Sequence, residues 1–189
     1  MSEEKRGKLA VVFPGIGYHS DKPLLYYARH LAREMGYNEE VLLDYHCTVP
    51  NIRGSEEKMR MAYEQLYAQA KEQLEKIPFG EYSEILMISK SIGTVIANSY
   101  VEEYGIACKQ IMYTPVAESF AFQLKDAIAF AGTEDPWIDI LQIRALCGLA
   151  GIPLHIINGV NHSMEGKGIQ DDIRILEEIM NETKKFLYK

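Results

Sequence analysis

Ser91 stands in the stretch Ile85-Leu86-Met87-Ile88-Ser89-Lys90-Ser91-Ile92-Gly93, where an apolar run passes through small residues into a helical pattern. A serine hydroxyl is a weak nucleophile and needs an activating base and a position clear of the surrounding backbone. A buried strand, a tight turn and a helix, in that order, supply the position in the arrangement called a nucleophile elbow. The start of the following helix leaves backbone N–H groups without acceptors, and these can bind a developing negative charge. The turn is crowded, so small residues two places before and two places after the serine let neighbouring backbone approach. The expected pattern is G-x-S-x-G; here it reads S-x-S-x-G, with Ser89 in place of the first glycine. Ser89 makes a poorer nucleophile candidate, because Ser91 occupies the place where its own glycine should stand. Lys90 suggests a serine–lysine dyad, but adjacent side chains in such a turn point apart.

The flanking segments read as an alternation of strands and helices. Leu9 to Phe13 is a short buried strand ending in the turn-rich Pro14-Gly15-Ile16-Gly17-Tyr18. Pro23 opens a helix carrying Leu24, Tyr27, Ala28, Leu31, Ala32 and Met35 at helical spacing, closed by Gly36. Val41 to Tyr45 reads as the second strand and Cys47 to Gly54 as a loop. Ser55 to Ile77 reads as a long amphipathic helix. After the Ser91 stretch, Gln110 to Thr114 is the fourth strand and Ala127 to Ala131 the fifth. Pro136 to Leu149 is predicted helical, Pro153 to Asn158 is the sixth strand, and Gln170 to Leu187 is the last helix. The gap from Pro115 to Asp126 is too short for a confident helix and is expected to cross the top of the sheet. Six apolar runs alternating with helices predict a parallel sheet covered on both faces, a three-layer αβα arrangement of the α/β class.

In open α/β sheets the functional groups gather at the C-terminal ends of the strands. Strand three ends in Ser91, strand five runs into Asp135, and strand six is followed by His162. Glu134 and Asp139 compete with Asp135, which has the better spacing after Gly132-Thr133. Among the other histidines, His30 lies on a predicted helix and His155 within a strand, where structural roles are expected. His19 sits near the mouth of the site, and Asp44, His46 and Cys47 supply too few converging ligands for a metal. Gly15 and Gly17 complete neither of the glycine patterns that cradle phosphates.

The segments FPGIGY at 13–18, SKSIGT at 89–94, AGTEDPW at 131–137 and GVNHSME at 159–165 together resemble the α/β-hydrolase superfamily, across nearly the whole chain. The order serine, acid, histidine is that family's order. The resemblance implies one α/β-hydrolase domain over residues 1–189 without a cap domain. It implies a reduced α/β-hydrolase fold, with a six-stranded parallel sheet in the order 2-1-3-4-5-6. It implies a serine hydrolase of carboxylesterase or thioesterase type, acting on a small-molecule acyl substrate through an acyl-enzyme. Ser91 would attack the carbonyl, His162 would carry the proton, and Asp135 would orient the imidazole. The backbone N–H groups of Ile16 and Ile92 would form the oxyanion hole. Tyr18, Pro115, Val116, Trp137 and Met164, with Phe120 and Phe122, are candidates for an apolar acyl pocket. Neither metal nor organic cofactor is expected. The alternative is a hydrolase-like binding protein with little turnover, since a fold alone does not fix a function.

Composition narrows the field. With 47% hydrophobic and 25% charged residues the chain reads as globular rather than disordered. A net charge of -7 argues against a nucleic-acid partner, which would usually meet a basic face. Three cysteines, Cys47, Cys108 and Cys147, without a CxxC pair argue against a disulfide framework or zinc site and for a reducing, cytoplasmic setting. The charged N-terminal stretch leads into an apolar run too short for a signal peptide, and no segment is long enough to span a bilayer. Monomer and homodimer both remain open.

Overall fold

The computed structural model describes residues 5–189; residues 1–4, the head of the charged N-terminal stretch, lie outside the described residues. Six strands form one all-parallel sheet in the order β2-β1-β3-β4-β5-β6, as expected. They are β1 (Arg6–Phe13), β2 (Glu39–Leu42), β3 (Tyr82–Lys90), β4 (Lys109–Tyr113), β5 (Asp126–Gly132) and β6 (Leu154–Ile157). The helices are α1 (Pro23–Glu34), α2 (Glu56–Leu74), α3 (Ile92–Tyr104), α4 (Ile140–Ala150) and α5 (Ile169–Leu187). No helix among the described residues is long and apolar enough to cross a membrane.

The two-residue period of the strands divides the core between the two faces of the sheet. Ala10 and Val12 of β1, Leu86 and Ile88 of β3, and Ile111 and Tyr113 of β4 face α1 and α5. Leu9, Val11, Phe13, Ile85 and Met87 face α2 and α3, while Met112, Ala127, Ala129 and Ala131 face α4. Each fully buried valine, leucine, isoleucine, phenylalanine or methionine side chain of this set contributes roughly 1.5–3 kcal/mol of burial, and each alanine less. Both faces of the sheet are therefore apolar, which is why its strands read as continuous apolar runs rather than alternating ones.

Three elements differ from expectation. The sequence places the start of the fourth helix at Pro136, but α4 starts at Ile140. Asp139 caps it, accepting from the N–H groups of Leu141 at 2.8 Å and Gln142 at 3.3 Å. Residues between Gly132 and Asp139 are thereby left as a loop. The second strand is expected over Val41 to Tyr45, but β2 stops at Leu42 because the chain beyond Leu43 leaves the sheet for α2. The segment from Pro115 to Asp126 does not cross the top of the sheet. It forms a short 3-10 turn, Ala117–Ala121, packed against α3 and α4. Asn98 Nδ2 donates to the Ser119 carbonyl at 2.8 Å, and Thr94 Oγ1 meets Ser119 Oγ, so polar groups of α3 hold the turn down.

Candidate active site

Ser91 joins β3 to α3 in a backbone conformation that few non-glycine residues adopt, with φ 55° and ψ −129°. Such strain persists only where the surroundings over-determine it. Here the Ser91 N–H donates to the Tyr113 carbonyl at 3.0 Å, and the Ser91 carbonyl accepts from the Thr94 N–H at 2.9 Å and Thr94 Oγ1 at 2.6 Å. Gly93 has no room for a side chain: a Cβ there would lie 2.3 Å from the Phe13 carbonyl oxygen and 2.5 Å from that of Pro14. Ser89, in place of the usual glycine, is 1% exposed and donates its hydroxyl to the Ile111 carbonyl at 3.0 Å. That bond satisfies the one polar atom the substitution adds, so the serine fits.

The loops after β5 and β6 bring the acid and the base together. The Gly159 N–H donates to Thr133 Oγ1 at 2.8 Å, and the Glu134 N–H donates to the Val160 carbonyl at 3.0 Å. Gly132 makes the approach possible, since a Cβ there would sit 2.3 Å from the Val160 oxygen. Asp135 then meets His162. Its Oδ2 accepts from His162 Nδ1 at 2.7 Å, and its Oδ1 accepts from the Trp137 N–H at 2.8 Å. With Nδ1 protonated toward Asp135, Nε2 is left to accept from the Ser91 hydroxyl at 2.8 Å. Burial holds the His162 ring below its ordinary value of 6.5, and the nearby Lys90 pushes the same way, against the hydrogen bond and charge of Asp135. The neutral imidazole is thus favoured near neutral pH, the form that accepts a proton.

The competing residues go elsewhere. Glu134 is exposed and Asp139 is the α4 cap. His155 stacks on Phe130 and lies 3.8 Å from Glu182, and His30 Nδ1 bonds the Tyr26 carbonyl. His19 accepts from the Asp21 N–H at 3.3 Å, outside the cavity walls.

A cavity of about 390 Å³ opens over Ser91. Its walls include Ile16, Tyr18, Ile92, Trp137 and His162. The N–H groups of Ile16 and Ile92 have no acceptor among the described residues, which leaves both donors to a ligand. Of the expected apolar pocket, Tyr18 and Trp137 line this cavity; Pro115, Val116 and Met164 do not. Pro115 and Val116 are buried where β4 turns down toward α3, and Met164 is 4% exposed in the core shared with α1 and α5. Phe122 lines a separate apolar groove with Tyr63, Val95 and Ala121, and Phe120 packs beside α4. A larger cleft of about 560 Å³ near Tyr37, Glu84 and Asp126 lies away from Ser91.

Sequence reasoning missed one wall of the cavity. Val49, Asn51, Ile52 and Arg53 line the cavity from the segment between β2 and α2, joined by Met59. A ladder of glutamines straps this segment to α2. Gln73 exchanges hydrogen bonds with the backbone N–H and carbonyl of Asp44 at 3.0 and 2.9 Å, and Gln69 does so with His46 at 2.9 Å each. Gln65 completes it, accepting from the Thr48 N–H at 2.9 Å and donating to Thr48 Oγ1 at 3.0 Å. Four helical residues rise about 6 Å and two extended residues about 6.6 Å, so the rungs match. The four-residue spacing of Gln65, Gln69 and Gln73 is the signal that was there to find. Lys22, Arg53 and Lys90 also line the cavity, and no described acidic residue does, although the chain carries a net charge of -7.

The sequence matches no family model and no curated protein. Solved structures are similar in fold. An α/β serine hydrolase homologue from Coxiella burnetii is 16% identical with a TM-score of 0.64, over 94% of this chain and 83% of that one. An esterase from Pyrococcus furiosus is 13% identical with a TM-score of 0.67, over 96% and 80%. A protein of unknown function from Agrobacterium tumefaciens is 13% identical with a TM-score of 0.58, over 97% and 94%. The chain has the α/β-hydrolase fold, in a six-stranded form.

Proposed function

We propose that this protein is a serine hydrolase that cleaves a carboxylic ester or thioester through an acyl-enzyme. The observation that carries the reading is the unbroken chain from Ser91 Oγ through His162 to Asp135, at 2.8 and 2.7 Å, open to a cavity. His162 Nε2 takes the Ser91 proton as Oγ attacks the acyl carbon. The carbonyl oxygen becomes an oxyanion and is met by the free N–H groups of Ile16 and Ile92, a contribution of about 3 to 4 kcal/mol per donor in comparable sites. Asp135, hydrogen-bonded to Nδ1, stabilises the imidazolium. His162 then protonates the departing alcohol or thiol, leaving the acyl group on Ser91. Water enters, loses its proton to His162 and attacks the acyl carbon; the acid departs and Ser91 recovers its proton.

The test is intact-mass labelling with a fluorophosphonate. Wild type should gain one adduct mass, and Ser91→Ala and His162→Ala none. A folded wild type that gains no mass would defeat the reading and favour a binding protein on the same fold.

A further inference from the structure

Lys90 is the one lysine among the described residues whose ammonium end lies within the core, with 1% of the residue exposed. It follows Ile88 on the α1 and α5 face of β3, so its side chain leaves the strand on the side opposite Ser91. It forms no ion pair among the described residues. Nζ instead donates to Thr114 Oγ1 at 2.8 Å and to the His162 main-chain carbonyl at 2.7 Å, and it lies 4.7 Å from the centre of the Tyr18 ring. A buried cation without a carboxylate partner is costly, and such a group persists where it does something for the fold or the site. Thr114, its other acceptor, has φ 45°, strained for a β-branched residue, with its N–H fixed to the Phe130 carbonyl at 2.8 Å. The strain therefore sits in a residue whose hydroxyl meets Lys90.

We propose that Lys90 is a positioning residue: it ties the main chain of His162 to Thr114 at the end of β4 and so holds the imidazole between Ser91 and Asp135. The proposal rests on the acyl-transfer reading for its catalytic consequence, though not for its geometry. His162 follows β6 by only a short loop, and its ring spans two hydrogen bonds that both depend on where its main chain lies. Lys90 supplies a third point of attachment from a different strand. Its charge also bears on the ring. Burial pushes the Lys90 amine down to about 7, while Asp135 and Glu165 pull it back up. The groups around it are Tyr18 from the loop after β1, Tyr113 beside Thr114 on β4, Asp135 from the loop after β5, and His162 and Glu165 from the loop after β6. When protonated, Lys90 opposes protonation of His162, because like charges repel in a medium that screens them poorly.

Fluorophosphonate labelling rates across pH, together with nitrogen-15 NMR of the His162 ring, test this in wild type and Lys90→Met. Methionine has similar length and no donor. The variant should remain folded by circular dichroism, label about 10 to 100-fold more slowly, and show its labelling midpoint at higher pH than wild type. A wild-type rate with an unmoved midpoint overturns the proposal. So does lost thermal stability with an unmoved midpoint, which would make Lys90 a packing residue. If Lys90→Met fails to fold, Thr114→Ser and Thr114→Ala decide: wild-type labelling in the first and slow labelling in the second supports the tie, and equal rates overturn it. If wild type takes no label, the acyl-transfer reading fails by itself. The NMR midpoint of His162 in Lys90→Met then judges the tie, a higher value supporting it and an unmoved one overturning it.

Discussion

Gln69 on α2 and His46 in the extended segment after β2 exchange two hydrogen bonds, the Gln69 side-chain carbonyl accepting from the His46 N–H and its amide donating to the His46 carbonyl, each at 2.9 Å. A side chain here takes the place of a neighbouring strand. The same segment continues into Val49, Asn51, Ile52 and Arg53 of the cavity wall. Gln69→Ala removes the middle rung and leaves two exposed backbone groups to water. Each bond contributes about 0.5–1.5 kcal/mol, less at an exposed site. The expected result is faster hydrogen exchange over residues 44–52 and a raised KM, with kcat little changed. Exchange unaltered in that segment would show that the ladder does not set its mobility.

The acid limb of the pH profile follows from the site. Burial holds the His162 ring below its ordinary 6.5, so the base stays neutral as pH falls through that value. The sign is that of a depressed base: activity persists below 6.5 and is lost at lower pH, as the ring finally protonates. The measurement is kcat/KM, or the labelling rate, from about pH 4.5 to 8. A midpoint above 6.5 would contradict the burial of the ring, and a flat profile would remove His162 from the reaction.

The contact of Gly93 with Phe13 and Pro14 makes a stability prediction with its own control. Gly93→Ala places a methyl group against two main-chain carbonyls, which cannot rotate away as a side chain could. The expected loss is about 3 kcal/mol or more, with slower labelling of Ser91 because α3 and the elbow must shift. Gly148 is exposed within α4, and a Cβ added there would meet nothing within 4 Å, so Gly148→Ala should stabilise by about 0.5–1 kcal/mol. Chemical denaturation of the two variants separates them. Equal stabilities would mean that the packing of α3 on the end of β1 is looser than these distances.

The sheet is legible in the sequence because its strands are buried on both faces and read as unbroken apolar runs, and because each ends in residues that turn. The placement of Ser91, Asp135 and His162 at strand ends follows from that, whereas the strand order is implied only by the resemblance of four short segments to the α/β-hydrolases. Three features depend on polar groups that an apolar pattern does not register, one of them a local cap and the other two with partners far along the chain. The start of α4 is set by Asp139, a capping residue hidden within an acidic loop. The turn after β4 is held by Thr94 and Asn98, which read in sequence as ordinary helix positions. Lys90 points away from Ser91, which in sequence speaks only against a dyad. The same alternation sends its tip to the back of His162, a contact across 72 residues that no local pattern encodes.

Charge in the cavity yields the last prediction. Lys22 and Arg53 line the cavity over Ser91, neither forms an ion pair among the described residues, and no described carboxylate lines the same walls. The charged side chains in these walls are of one sign even though the protein as a whole is negative, and walls of one sign raise the local concentration of an oppositely charged ligand. Of two esters matched in length, one ending in a carboxylate and one in its methyl ester, the anionic one should have the lower KM. Arg53→Gln should raise KM for the anionic ester about two- to fivefold, within the range of an exposed ion pair, and leave the neutral ester unchanged. Added salt should shrink the difference, because the Arg53 side chain is reached by solvent. Equal changes for both esters would mean that Arg53 shapes the wall without reading charge, and the preference would then have to come from the apolar faces of Tyr18 and Trp137.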